Sequence, residues 1–239
     1  MLEIYLTGIK PHSGLTLVTG GIAATMQSLG YSTAVYLPAQ TGAYAKGGKL
    51  IAPDMLFMKY MDKNIATCCS YLYRNKRLSF EVFEEEKLQM EKEVIERDYK
   101  SICREHECLI TNGFSDLDTP IGTGCSEEVF LQTSGLPVVL LASLRNSTLQ
   151  DILDYLIALK PKNLNIRGII LNECPTKSEA YDVRRLQKTI ETCTNATVLG
   201  IIPKIENIKN CRPEDFICYV LGSTDLEGIF NVKIPKLTS

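Results

Sequence analysis

The strongest constraint on the fold is a repeat in hydropathy. Short, uninterrupted apolar runs rich in β-branched residues begin near Glu3, Thr33, Glu107, Pro137, Arg167 and Thr197. Most begin roughly 30 residues apart, the length of one strand–helix–strand unit. They read Ile4-Tyr5-Leu6-Thr7, Ala34-Val35-Tyr36-Leu37, Cys108-Leu109-Ile110-Thr111, Val138 to Ala142, Gly168 to Leu171 and Val198 to Ile202. Uninterrupted apolarity means burial on both faces, as in a parallel sheet covered by helices. Amphipathic helical patterns fill the intervals. Val18, Ile22, Met26 and Leu29 recur on one face, and Gly30 follows as a stop. Leu149, Ile152, Leu153, Leu156 and Leu159 form a second stripe, with Ser147 and Gln150 spaced as a capping box. Thr176 and Glu179 stand in the same relation ahead of Val183, Leu186, Ile190 and Cys193. Pro213, Glu214 and Asp215 open a short helix ended by Gly222, and Thr224 with Glu227 forms another capping box. Strands alternating with helices at this period specify right-handed crossovers. The predicted class is therefore α/β, a doubly wound, mostly parallel sheet with helices on both faces.

Only the interval from Thr33 to Glu107 breaks the rhythm, being more than twice as long as the others. It predicts a largely helical insertion at about 55–105 within a single domain spanning residues 1–239. In its second half, Phe80 to Arg104 places Leu88, Ile95, Tyr99 and Ile102 on one face. Glu84, Glu85 and Glu86 lie near its start, where acidic side chains suit a helix dipole. A solvated surface helix is a simpler account of them than an acidic binding surface.

Composition excludes several classes of function. Lys plus Arg is 26 and Asp plus Glu is 28, a formal net charge of −2. No basic surplus is available to neutralise a nucleic-acid backbone. The longest apolar runs, such as Leu136 to Leu144, fall short of a membrane span. Nine cysteines, scattered and odd in number with no recognisable signal peptide, lead to the expectation of reduced thiols in a cytoplasmic protein. Cys68-Cys69, Cys103 with Cys108, and Cys211 with Cys218 lack the C-x-x-C spacing of a zinc or redox site. His12 and His106, the only histidines, sit on different segments, and no nucleophile elbow is present. Tyr71, Tyr73 and Phe80 read as the hydrophobic side of the 55–105 segment rather than a base-stacking platform.

In an open parallel sheet, ligands sit beyond the carboxyl ends of the strands. The first such loop reads Gly8-Ile9-Lys10-Pro11-His12-Ser13-Gly14-Leu15-Thr16. A phosphate-cradling loop carries a glycine at each end, a lysine beside the second, and then a hydroxyl for the metal. Gly8, Gly14 and Thr16 are in register, but Leu15 occupies the lysine position. Backbone N–H groups and the helix dipole still suit an anion at Ser13 to Thr16. Losing one preorganised charge-stabilising group commonly costs about 10² to 10³ in rate. Lys10 compensates only if the loop, or a second subunit, brings its amine back. Read alone, the loop also fits a plain turn from strand into helix.

Together with that loop, Leu37-Pro38-Ala39-Gln40-Thr41-Gly42, Asp118-Thr119-Pro120 and Leu136-Pro137-Val138-Val139-Leu140 resemble the dethiobiotin synthetase family. The P-loop domain of some phosphate acetyltransferases is similar too. The resemblance runs from Ile4 to about Pro203 and implies a P-loop NTPase-like three-layer sandwich. It also implies ATP and Mg²⁺ as cofactors of a cyclo-ligase that carboxylates a diamine, phosphorylates the carbamate and closes a cyclic urea in biotin biosynthesis. By the same resemblance the family's two catalytic lysines fall at Leu15 and Leu37. Nucleotide binding maps to His12, Ser13, Gly14, Thr16, Leu17, Asp54, Asn172 and Pro203, although for His12 a solvated role is simpler. Metal binding maps to Thr16, Asp54 and Asn112, the last a neutral group where Mg²⁺ prefers anionic oxygens. Thr41 matches the substrate-facing hydroxyl, and Lys10 and Arg145 are left to supply charge. Two readings follow. One is a cyclo-ligase of weak or lost activity. The other is a non-catalytic nucleotide- or anion-binding relative, or the dimer partner of an active paralogue. The family's assembly implies a homodimer with a small-molecule or nucleotide ligand.

Overall fold

A computed structural model describes residues 1–75, 90–114, 117–122, 125–175, 183–205 and 211–234. Seven parallel strands form its central sheet: β1 (Leu2–Gly8), β2 (Thr33–Gln40), β5 (Ala66–Leu72), β6 (Cys108–Asn112), β9 (Val138–Ser143), β10 (Ile166–Cys174) and β11 (Val198–Pro203). Their order is β11-β10-β9-β1-β6-β2-β5. Two small antiparallel ribbons, β3 (Tyr44–Lys46) with β4 (Lys49–Ile51) and β7 (Pro120–Gly122) with β8 (Cys125–Ser126), project from the connections.

Successive strand residues point to opposite faces, and both faces are buried. Tyr5, Tyr36, Leu109, Leu140 and Ile169 join one apolar cluster, while Ile4, Leu6, Val35, Leu37, Ile110 and Leu141 join the other. The first cluster is covered by α3 (Lys92–Glu105), α4 (Glu127–Ser134), α5 (Leu149–Leu159) and α6 (Val183–Thr194). The second is covered by α1 (Leu15–Ser28), α2 (Pro53–Met61), α7 (Pro213–Ser223) and α8 (Leu226–Phe230). This double burial explains the uninterrupted apolar runs.

The long second interval, expected as a largely helical insertion at 55–105, is described except for residues 76–89. It contains α2 and α3, but also the edge strand β5, paired in parallel with β2. Its sequence, Ala-Thr-Cys-Cys-Ser-Tyr-Leu, is half-buried throughout. An edge strand has a neighbour on one side only, so it need not carry the apolar run that marks the interior strands. Helix α3 begins at Lys92 rather than Phe80; Ile95 and Ile102 are buried, and the 80–89 stretch with its glutamates lies outside the described residues.

Two capping boxes also move. At α5 the box joins Thr148 and Asp151 rather than Ser147 and Gln150, and α8 is capped by Asp225, whose side chain accepts from the Gly228 amide. In each case the capping oxygen sits one residue later, because any short polar side chain in the cluster can take the role. Thr176 and Glu179 lie outside the described residues. All nine cysteines are free thiols, and burial pushes Cys69 and Cys108 up to about 12. Among the described residues no helix is long and apolar enough to cross a membrane.

Candidate functional site: the crevice between β1 and β9

The chain leaves β1 toward β2 and leaves β9 toward β10, so the connections after two adjacent strands diverge to opposite sides. Such a divergence opens a crevice at the carboxyl edge of the sheet. The 8–16 loop rises into it. Its first glycine is anchored from β6: the Gly8 amide and the Thr7 hydroxyl both donate to the Phe114 carbonyl, at 3.2 and 2.6 Å. Phe114 is itself fixed by a donated bond from its amide to Glu127 Oε1 at 3.1 Å. Glu127 is fully buried at the start of α4 and had no counterpart in the sequence reading.

At its far end the loop enters α1 through Gly14, whose φ of 86° lies in the left-handed region. A Cβ there would stand 2.2 Å from Asn172 Nδ2. Glycine is required twice over, for backbone conformation and for space. Asn172, 2% exposed, donates from Nδ2 to the Ser13 carbonyl at 3.0 Å. The side chain thus grips the loop. Ser13 is also buried, and its hydroxyl has no hydrogen-bond partner among the described residues. It lies against Gly8, 2.5 Å from where a Cβ on that glycine would be.

Thr16 and Asp54 meet. The Thr16 hydroxyl donates to Asp54 Oδ2 at 3.0 Å, and the Asp54 amide donates to Gln40 Oε1 at 3.2 Å. Pro53 opens α2 and leaves Asp54 in its first turn, beside α1. Burial raises the Asp54 carboxyl above the usual range, partly offset by the hydrogen bonds from Thr16 and Gln40. One hydroxyl and one carboxylate are hard oxygen donors of the kind Mg²⁺ accepts when phosphates and water complete its shell. These two residues would hold that ion, which neutralises phosphate charge when bound. Asn112 Oδ1 accepts from the Thr19 hydroxyl at 2.8 Å, which ties α1 to β6. No cluster of three His, Cys, Asp or Glu side chains able to hold a metal occurs among the described residues.

The cations the sequence left available, Lys10 and Arg145, each lie beside a carboxylate at the surface. Lys10 Nζ lies 2.9 Å from Asp151 at the start of α5 and is half-exposed. Arg145 is largely exposed, 3.9 Å from Glu173. Leu37 is 1% exposed and part of the second core cluster, against which Leu15 and Leu17 also pack. His12, exposed with φ 62°, has its backbone carbonyl 3.5 Å from Asn146 Nδ2. Thr41 accepts at its carbonyl from Gln40 Nε2, and Pro203 lies beside Cys174 in the β10–β11 pairing. Sequence reasoning missed Gln40, Asn146, Asp151 and Glu173. Gln40 adjoins Thr41, Asn146 adjoins Arg145 and Glu173 adjoins Asn172, each a candidate site residue, whereas Asp151 adjoins none.

Comparisons with known proteins agree with this fold. The model of the AAA domain family matches residues 3–212. An ATP-dependent dethiobiotin synthetase from Halalkalibacterium halodurans is 22% identical over 89% of each chain, and one from Clostridium perfringens is 23% identical over 86% of this chain and 92% of its own. Among solved structures, the MinC:MinD cell division protein complex of Aquifex aeolicus aligns at TM-score 0.52 and 12% identity, over 98% of both chains. The septum site-determining protein MinD from Pyrococcus horikoshii, complexed with Mg-ADP, aligns at 0.50 and 14%, over 96% of this chain and 93% of that one. These last two are likenesses of fold. The chain belongs to the AAA domain family, with a P-loop NTPase fold and dethiobiotin synthetases as its sequence relatives.

Proposed function

We propose that this is a dethiobiotin-synthetase-like protein that binds a nucleotide or smaller oxyanion in the β1–β9 crevice and has lost efficient phosphoryl transfer. One observation carries the reading. The two positions that the resemblance gives to lysines are Leu15 and Leu37, and Leu37 is sealed in the core at 1% exposure. Phosphoryl transfer depends on fixed positive charge about the migrating group. Lys10 is paired with Asp151 at the start of α5.

The test is ATP-dependent formation of a cyclic urea from diaminononanoate and bicarbonate, beside calorimetric titration with ATP and pyrophosphate. The expected result is binding without product above background; turnover at a working enzyme's rate overturns the proposal. The Thr16–Asp54 pair at 3.0 Å favours a second reading, a residual Mg²⁺-dependent cyclo-ligase. Slow urea formation abolished by Asp54→Asn would support it. A homodimer, carried over from the family, would show in solution as twice the 26.7 kDa chain mass. The proposed setting is the cytoplasm.

A further inference from the structure

Three successive carbonyls of the loop face side-chain amides from neighbouring strand ends. Asn146 Nδ2, after β9, donates to the Pro11 carbonyl at 2.8 Å and reaches the His12 carbonyl at 3.5 Å. Asn172 Nδ2, at the end of β10, donates to the Ser13 carbonyl at 3.0 Å. In a trans peptide the C=O of one residue and the N–H of the next point in opposite directions. Drawing these carbonyls toward β9 and β10 therefore turns the amides of His12, Ser13 and Gly14 away, toward the loop interior. Those amides adjoin the first-turn N–H groups of α1, which have no intrahelical partners. The buried, unpartnered Ser13 hydroxyl lies in the same interior, over Gly8.

The neighbouring structure is built to hold both asparagines in place. The pairing of β10 with β11 slips between Leu171 and Cys174, and Glu173 sits in the left-handed region at φ 55°. A non-glycine residue there is strained and persists only when its surroundings over-determine it. Here the Glu173 carboxylate accepts from the Ser143 hydroxyl, which in turn accepts from the Arg145 amide at 3.1 Å. The Asn172 carbonyl accepts from the Leu144 amide at 2.9 Å. The ends of β9 and β10 are thus laced together directly beneath the loop.

We infer that Asn146 and Asn172 are positioning residues that preorganise the 8–16 loop as an oxyanion-binding nest, taking over by geometry part of what a loop lysine does by charge. The inference rests on the proposed binding of an anion in this crevice for its function, and on the loop's own geometry for its mechanism. It also gives Asn172 a role different from the direct nucleotide contact implied by the family resemblance.

The experiment uses the full chain with Asn146→Ala, Asn172→Ala and the isosteric Asn172→Asp. Hydrogen–deuterium exchange is followed without ligand, and pyrophosphate is titrated by calorimetry with and without Mg²⁺. The expected result is exchange at least tenfold faster across residues 9–17 in each variant, with the strands β1, β6 and β9 unchanged and pyrophosphate at least tenfold weaker. Asn146 is exposed, so Asn146→Ala keeps the test valid if an Asn172 variant fails to fold. Loop exchange unchanged in Asn146→Ala and in whichever Asn172 variants fold overturns the inference, as does faster exchange spread evenly through the sheet, the mark of general destabilisation. Localised exchange changes in a protein that never binds pyrophosphate would instead overturn the proposed function and leave loop positioning supported.

Discussion

At the residue scale the site is governed by two leucines that differ in their surroundings. Leu15 is half-buried at the first turn of α1, directly after the loop; Leu37 is enclosed. Leu15→Lys should therefore fold normally and tighten pyrophosphate about tenfold, since a charge-assisted hydrogen bond contributes about 1.5 to 3 kcal/mol. Leu37→Lys strands an ammonium in the core and should cost about 3 kcal/mol. For a chain of this length that is about 10 °C in thermal midpoint. Calorimetric titration and thermal unfolding of the two single variants check both statements, and equal stability of the two would contradict the burial argument.

Lys10 and Asp151 set a second residue-scale expectation. Hydrogen bonds from Lys10 and from the Thr148 cap hold the Asp151 carboxyl down to about 2. A depressed carboxylate adds stability at pH above its unfolded value of 3.8, and the contribution fades as pH falls toward 2. Lys10→Ala should return the Asp151 titration midpoint upward, toward 3.8, in a carbon-detected NMR titration. An unmoved midpoint would mean that Thr148 alone sets it.

At the scale of elements, α1 is the part on which the site depends. It is the helix behind the loop, and small residues let it approach its neighbours. A Cβ on Gly20 would lie 2.7 Å from Phe57 of α2, and one on Gly21 would lie 2.5 Å from Phe216 and 2.6 Å from Val220 of α7. Alanine gains about 1 kcal/mol over glycine in helix propensity. Overpacking a closed contact with aromatic and branched neighbours costs about 1 to 3 kcal/mol. The steric term wins, so Gly21→Ala should lower stability by about 1 kcal/mol in urea unfolding. A stabilised variant would show that α7 can retreat.

At the scale of the molecule, one seven-stranded sheet shares both of its faces with helices from the whole length of the chain, and each core cluster takes residues from strands on both sides of β1. Neither half of the chain can bury its strands without the other. Unfolding should therefore be a single transition in which calorimetric and van't Hoff enthalpies agree. Two resolved transitions would argue for separable units.

The sequence by itself determined the alternation of strands and helices, the doubly wound class, and the loop with a leucine in place of a lysine. Those features are local: continuous apolarity, helical periodicity and glycine spacing are written in adjacent residues. It did not disclose β5, because an edge strand needs no continuous apolar run, and it placed two helix caps one residue early, because several short polar side chains compete for one amide. Nor did it disclose the partners of the loop. Asn172 meets Ser13, Asn146 meets Pro11, Lys10 meets Asp151, and Asn112 meets Thr19. Each contact joins segments far apart in the chain, brought together only when β6, β9 and β10 assemble around β1. Residue types marked the loop as a candidate anion site; the order of the strands decided which side chains hold that loop.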